Sequence, residues 1–148
     1  MKTCKEVMTE NPICCTPDDS VVRAAKFMKT EDVGSAPVCE GRDNRKLVGI
    51  VTDRDLAIQV VAAGKDPNTV KVRDVMTRDP ITCRANDNLQ TALDAMEQHQ
   101  IRRIPVVDES GQLVGIISQA DVATRTDNPE LTAELVEEVS QPGAMRAG

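Results

Sequence analysis

Two short motifs place a hydroxyl and a carboxylate three residues apart, each directly after an apolar run. They are Thr52-Asp53-Arg54-Asp55 and Ser118-Gln119-Ala120-Asp121. At a helix start the hydroxyl accepts from a backbone N–H and the acid favours the positive end of the helix, so both motifs predict capping. The same groups suit a second task. Free N–H groups at a helix start attract phosphate, the hydroxyl can donate to it, and the carboxylate oxygens can accept from the adjacent hydroxyls of a ribose.

A pair of adjacent arginines, Arg102-Arg103, is the second chemical feature. Guanidinium groups hold phosphate through paired donors, whereas a basic pair in an exposed stretch is ordinary solvated surface. Arg54 leaves the same two alternatives open, because it is either a further phosphate-binding cation or a surface residue of the helix.

The chain is an internal repeat. Val7-Met8-Thr9 recurs 68 residues later as Val75-Met76-Thr77, and after a two-residue difference in one loop Leu47-Val48-Gly49-Ile50 recurs as Leu113-Val114-Gly115-Ile116. A repeat of this length is a whole supersecondary unit, so two copies predict a pseudo-twofold body with two related clefts. Gly34-Ser35 stands in the first copy where the second has the arginine pair, so phosphate affinity is expected to be unequal between the clefts.

Periodicity predicts strand, helix, strand, strand, helix in each copy, after a short amphipathic lead-in at Cys4 to Met8 or Val72 to Met76. A helix should begin near Asp19. The apolar positions of the first helix of each copy recur at i, i+3, i+4 and i+7 and are expected to face the core: Val21, Ala24, Ala25 and Met28, then Leu89, Ala92, Leu93 and Met96. The predicted strands are Ala36 to Cys39, Leu47 to Val51, Ile104 to Val107 and Leu113 to Ile117.

The predicted organisation has four parts. The first unit covers residues 3–63, a linker covers 64–70, the second unit covers 71–126, and a C-terminal helix with a flexible tail covers 127–148. Leu131, Leu135 and Val139 are spaced by four in that helix and could dock on the body or on another subunit.

Composition limits the class of function. A net charge of −6 argues against sequence-independent nucleic-acid binding, and Phe27 is the only aromatic residue on which a base could stack. No stretch is apolar enough to span a membrane and the N-terminus lacks the apolar run of a signal peptide, so a cytoplasmic protein is expected. Five cysteines without Cys-x-x-Cys indicate reduced thiols and no metal site. His99 is the only histidine, and no catalytic arrangement includes it, so an enzyme is not expected.

Several motifs occur in both copies: Val-Met-Thr, x-Pro-Ile, the Pro-Val strand, and Gly-Ile-Val-Thr-x-x-Asp, which is Gly-Ile-Ile-Ser-x-x-Asp in the second copy. Through these motifs the chain closely resembles a pair of CBS domains over Thr3 to Val122. The resemblance implies an α/β (α+β) fold in which two βαββα units pack by pseudo-twofold symmetry into one module, called a Bateman module and often a homodimer. It implies a signal-transducing regulatory module that binds AMP, ADP, ATP or NAD(H) between the repeats, with no catalytic cofactor, and reports ligand state to an unknown partner protein. The alternative is a ligand-independent homodimerisation module.

The resemblance also assigns roles to residues. Asp55 and Asp121 would bind ribose, while Thr52, Ser118, Arg102, Arg103 and, as one of its two alternatives, Arg54 would bind phosphate; which arginine serves which cleft is open. The arginines favour phosphorylated ligands over S-adenosylmethionine, whose sulfonium is positively charged. The adenine pocket would comprise Ile13, Cys14, Val33, Ala36 and Pro37 in the first copy and Ile81, Thr82, Ile101, Ile104 and Pro105 in the second.

Overall fold

The computed structural model describes residues 2–125. The predicted C-terminal helix and tail at 127–148 lie outside the described residues. Within them the chain forms two compact units. The central unit is Ile13–Pro80, and the split unit combines the residues up to Pro12 with those from Ile81 onward.

The elements confirm a mixed α and β fold, but the strand predicted before the long helix of the first copy is reduced to a single bridge at Cys15. In chain order they are α1 (Cys4–Val7), β1 (Thr9–Glu10), α2 (Val21–Glu31), β2 (Ser35–Cys39), β3 (Leu47–Thr52), α3 (Asp53–Leu56) with a π-helical turn (Ala57–Val61), a 3-10 turn (Val72–Asp74), β4 (Thr77–Arg78), β5 (Cys83–Arg84), α4 (Leu89–His99), β6 (Arg103–Val107), β7 (Leu113–Ser118) and α5 (Gln119–Arg125). Within residues 2–125 no helix is long and apolar enough to cross a bilayer.

Each unit is built on one sheet. The central unit has the antiparallel order β2-β3-β4, and Cys15 adds a parallel bridge to Val38 on the other side of β2. The split unit has the order β1-β7-β6-β5, in which only β5 and β6 are parallel. The bridge at Cys15 therefore occupies the place that β5 occupies in the second copy.

The lead-in of each copy packs in the unit formed by the other copy. Cys4 and Val7 of α1 are buried in the core of the split unit, and the Lys5 N–H donates to the Ala85 carbonyl at 2.9 Å. In the central unit Val72 is buried, and its N–H donates to the Asp19 carbonyl at 2.8 Å. The strand that follows each lead-in then joins the same sheet, as β1 beside β7 and β4 beside β3.

The long helix of each unit presents an apolar stripe to the core, with one departure from the prediction. All four predicted positions of α4 are buried, but in α2 only Val21, Ala24 and Met28 are. The prediction that Ala25 faces the core is wrong, because Ala25 lies at the margin of the stripe and lines an open groove. Helix α2 begins two residues after the predicted start, where the Ser20 side chain accepts from the Arg23 N–H at 3.3 Å.

Candidate functional site

The hydroxyl–carboxylate motif of the central unit lies where β3 ends and α3 begins. Thr52 is buried with an extended backbone, and Asp55 is half-buried. The Thr52 N–H donates to Asp55 Oδ2 at 2.9 Å, and the Asp55 N–H donates to Thr52 Oγ1 at 3.0 Å. The predicted capping is therefore confirmed as a reciprocal pair of hydrogen bonds. Within residues 2–125 no hydrogen bond reaches Asp55 Oδ1, which leaves one carboxylate oxygen as a possible acceptor.

The equivalent motif of the split unit has an additional partner. The Ser118 N–H donates to Asp121 Oδ2 at 2.9 Å, and the Asp121 N–H donates to Ser118 Oγ at 3.2 Å. The Thr9 hydroxyl also donates to Asp121 Oδ1, at 3.1 Å. Both oxygens of Asp121 therefore accept hydrogen bonds, whereas one oxygen of Asp55 does not.

Thr9 is a site residue that sequence reasoning missed. It is the last residue of the Val-Met-Thr motif and the first residue of β1, directly after the lead-in. Its contact with Asp121 joins residues 112 positions apart in the chain. The recurrence of this threonine at position 77 was the available signal. Spacing alone could not indicate that the lead-in of the first copy reaches the helix start of the second.

The arginine pair lies next to the helix start of the split unit. Arg103 is the first residue of β6 and pairs in register with Ser118, and the Gln119 N–H donates to the Arg102 carbonyl at 3.3 Å. Both arginines are half-buried. The Nε atom of Arg102 and the Nε2 atom of Gln119 are buried and have no hydrogen-bond partner within residues 2–125. Buried donors are normally satisfied, so these two are exceptions among the described residues.

Gly34 and Ser35 hold the same positions in the central unit. Ser35 pairs in register with Thr52, and the Asp53 N–H donates to the Gly34 carbonyl at 2.9 Å. The two helix starts therefore share their backbone arrangement and differ in the cations beside them. Arg54 has an exposed side chain on α3, a position compatible with both of its predicted roles.

The predicted adenine residues lie on two adjacent segments in each unit. Ala36 and Pro37 are buried within β2, and the Cys15 N–H donates to the Pro37 carbonyl at 2.9 Å, which places Ile13 and Cys14 alongside them. Cys14 and Val33 are half-buried, and Ile13 is 61% exposed. Ile13 and Thr52 thus flank β2 from opposite sides, near its Ser35 end.

The second copy repeats this arrangement beside β6. Ile104 and Pro105 are buried in β6, Ile101 is half-buried, and Thr82 is exposed. Ile81, at the position equivalent to Ile13, is 38% exposed. Ile13 and Ile81 therefore hold matched positions, and both keep accessible side chains.

A metal site was not predicted, and the described residues contain no group of three or more His, Cys, Asp or Glu side chains able to hold a metal ion. The chemistry that these helix starts can offer is hydrogen bonding and charge. Each presents N–H groups, a hydroxyl and a carboxylate, and in the split unit guanidinium donors are added.

Comparisons with known proteins agree with this arrangement. The CBS domain family matches residues 4–61 and 72–126. Hypoxic response protein 1 of Mycobacterium tuberculosis is 39% identical over 123 residues, which are 83% of this chain and 84% of that protein. A crystal structure of Hypoxic Response Protein I with two coordinated zinc ions is 38% identical, with a TM-score of 0.74 over 82% of this chain and 97% of that one.

A ligand-bound structure is also similar. The crystal structure of CBSX2, a CBS-pair protein of Arabidopsis thaliana, in complex with AMP is 32% identical, with a TM-score of 0.70 over 83% of this chain and 94% of that one. The doubled family match and the relatives that align along most of their length leave one assignment: this chain belongs to the CBS domain family and carries a tandem pair of these domains.

Proposed function

We propose that this protein is a regulatory module that binds an adenine nucleotide at its two helix starts. The observation that carries the proposal is the matched arrangement in the two units, where a capped hydroxyl and carboxylate lie across one strand from an accessible isoleucine. CBSX2, a relative of the same fold, is bound to AMP in its crystal structure. A nucleotide needs a polar and an apolar contact surface of this kind, because its phosphate and ribose are polar and its base is flat and largely apolar.

Asp55 is the stronger ribose-binding residue in this proposal. Its Oδ2 atom caps the helix, and its Oδ1 atom can accept from a ribose hydroxyl without breaking that cap. Asp121 would have to exchange the hydrogen bond from Thr9 for one from the ligand. Ribose affinity is therefore expected to be higher at the central unit.

Arg102 and Arg103 supply the phosphate affinity. Both arginines are half-buried, and hydrogen bonds between a guanidinium and a phosphate oxygen are strong because both partners are ionised. Thr52 and Ser118 already accept from backbone N–H groups, and their hydroxyl hydrogens remain available to a phosphate oxygen. Ligand binding would favour one packing arrangement over another, and a partner protein would respond to the change. We further propose that the protein is a homodimer and that the change in packing occurs within this dimer.

Nucleotide binding can be measured directly. The chain has no Trp and no Tyr, so an absorbance band near 260 nm in the purified protein indicates a co-purified nucleotide. Heating the protein releases this nucleotide into the supernatant, where mass spectrometry identifies it. We expect AMP to raise the melting temperature more than adenosine or S-adenosylmethionine does, because a ligand that binds the native state stabilises it. If AMP, ATP and NAD all leave the melting temperature unchanged and no nucleotide is carried, the nucleotide proposal is wrong.

Variants separate the two subsites. Asp55→Asn should weaken AMP and adenosine alike, with Asp53→Asn, an exposed carboxylate of the same helix start, as the matched control. Replacing Arg102 and Arg103 by Ala should weaken AMP much more than adenosine, and the exposed Arg84→Ala should change neither. Equal losses for AMP and adenosine in the double variant would mean that the arginines do not contact phosphate.

One observation favours the alternative of a ligand-independent homodimerisation module. The central unit has an apolar groove of about 340 Å³ beside α2, lined by residues that include Val22, Ala25 and Val61. Val61 is 77% exposed, and exposed apolar surfaces of this kind mark interaction sites. Sedimentation of Val61→Glu tests this function. A dimer that persists with nucleotide absent and dissociates in this variant would support it.

A further inference from the structure

Cys14 and Cys39 of the central unit lie on the same face of the sheet. Cys15 and Val38 form a parallel bridge and are both buried in the core. Because side chains alternate along extended strands, Cys14 and Cys39, which neighbour Cys15 and Val38, lie together on the opposite face of these two segments. Cys14 is half-buried and therefore accessible to a small solute, and Cys39 is buried beside it.

The surroundings of Cys14 favour its thiolate. The Cys39 thiol donates to Cys14, and together with the charges of Arg45 and Arg42 this lowers the pKa of Cys14 to about 6. Arg45 Nη1 lies 4.0 Å from Cys14 Sγ. The pKa of Cys39 is raised, because Cys39 is the donor of that hydrogen bond and is buried. At neutral pH Cys14 is therefore mainly thiolate, and the neighbouring Cys39 is a protonated thiol.

A second thiol pair in the split unit provides a comparison within the same chain. The Cys4 thiol donates to the Asn88 carbonyl and the Cys83 thiol donates to the Pro105 carbonyl, both at 3.9 Å. The neighbouring Cys83 thiol lowers the pKa of Cys4, but burial and the negative charge of Asp87 act in the opposite direction. Cys4 is 0% exposed and Cys83 is 4% exposed. The two pairs differ in solvent access and in the charge beside them.

We propose that Cys14 and Cys39 are an oxidant-reactive pair that hydrogen peroxide converts into an intrachain disulfide. The Cys14 thiolate attacks one oxygen of the peroxide, the O–O bond breaks, and a sulfenic acid and hydroxide form. The Cys39 sulfur then attacks Cys14 Sγ and displaces a second hydroxide, while the thiol proton of Cys39 and one proton from solvent convert the two hydroxides to water. The two sulfurs lose two electrons in total and the peroxide gains two. Cys14 is also a predicted adenine-pocket residue, but the oxidation itself does not require a bound nucleotide.

The test is oxidation of the whole reduced protein with one equivalent of hydrogen peroxide, followed by mass measurement without reductant. We expect a loss of two hydrogen atoms from a single chain and a crosslinked tryptic peptide pair that contains Cys14 and Cys39. The product should not form in Cys14→Ser or in Cys39→Ser. The crosslink should still form in Cys15→Ala. This variant distinguishes Cys14 from Cys15, because both lie in the same tryptic peptide.

The second thiol pair supplies the matched control. Cys4→Ser combined with Cys83→Ser should form the Cys14–Cys39 crosslink at the wild-type rate, and in the wild type this crosslink should precede any reaction at Cys4 or Cys83. A thermal melt of each reduced variant shows whether it is folded. Reaction of Cys4 before Cys14, a crosslink between two chains, or a sulfenic acid that persists at Cys14 would each overturn the proposal.

The pH dependence tests the role of the neighbouring groups. The rate of Cys14 alkylation by iodoacetamide should rise with pH through a midpoint near 6, because only the thiolate reacts. Cys39→Ala and Arg45→Gln should each shift the midpoint upward, since one removes the hydrogen bond and the other the nearby cation. The pKa of Cys15 is raised to about 11, chiefly by burial, so Cys15 does not contribute at neutral pH. A midpoint that neither substitution changes would contradict the assignment of Cys14.

Discussion

Asp55 and Asp121 occupy equivalent positions but do not have the same hydrogen bonds. Each caps its own helix through Oδ2, and only Asp121 also accepts from a side chain of the lead-in, Thr9. The extra bond joins β1 to α5 in the split unit. A residue that the repeat makes equivalent therefore has a structural role in one copy that it does not have in the other.

This difference predicts unequal losses of stability. Asp55→Ala removes one capping bond and should lower the free energy of unfolding by about 1 kcal/mol. Asp121→Ala also removes the bond from Thr9 and should cost about 2 kcal/mol in total. Urea denaturation measures both values. In a Thr9→Val background the cost of Asp121→Ala should fall; equal costs of Asp121→Ala with and without Thr9→Val would show that the Thr9 contact contributes nothing.

At the scale of elements, the Val-Met-Thr motif and the glycine of the Leu-Val-Gly-Ile strand are explained together, because the two segments pack closely in each unit. The three atoms nearest to a Cβ added at Gly115 all belong to the Met8 side chain, with Cγ at 2.7 Å and Cβ at 3.0 Å. A Cβ added to Gly49 would lie 2.8 Å from the Thr77 carbonyl oxygen and 2.9 Å from Met76 Sδ. The Leu-Val-Gly-Ile strand therefore needs glycine because the Val-Met-Thr lead-in crosses it closely.

The two glycines should respond differently to relief of the clash. Gly115→Ala and Gly49→Ala should each cost about 1–3 kcal/mol through overpacking. Adding Met8→Ala should relieve most of the clash at Gly115, whereas Met76→Ala should relieve little at Gly49, because the Thr77 carbonyl belongs to the backbone of β4. Double-mutant cycles from denaturation curves measure the coupling free energy of each pair. We expect about 1–2 kcal/mol between Gly115→Ala and Met8→Ala, and a smaller value between Gly49→Ala and Met76→Ala. Equal couplings would contradict this account.

The elements that the sequence predicted well are those fixed by local chemistry. Thr52 and Ser118 cap helices at the predicted positions, since a hydroxyl and an acid three residues on are sufficient signals. The contact of Thr9 with Asp121 and the exposure of Ala25 depend on residues far along the chain or on the neighbouring surface. Periodicity contains no information about either.

At the scale of the whole molecule, the exchange of lead-ins was the feature that the repeat could not reveal. A repeat shows that Cys4 to Met8 and Val72 to Met76 are equivalent, but not which copy each one completes. In the structure the lead-in of the second copy follows the first copy directly and completes the central unit. The boundaries 3–63 and 71–126 describe the repeat, and whether they also describe folding units is a separate question.

Two fragments of equal length, residues 13–80 and residues 1–68, answer that question. We expect residues 13–80 to show a cooperative thermal transition by circular dichroism, because this fragment contains the whole buried cluster of the central unit. Residues 1–68 lack Val70, Val72 and Val75, all of them buried, and also the bond from the Val21 N–H to the Val70 carbonyl at 3.1 Å. Small domains are marginally stable, so the loss of three core side chains should abolish the transition. A cooperative transition in residues 1–68 and none in residues 13–80 would make the linear repeat the folding unit.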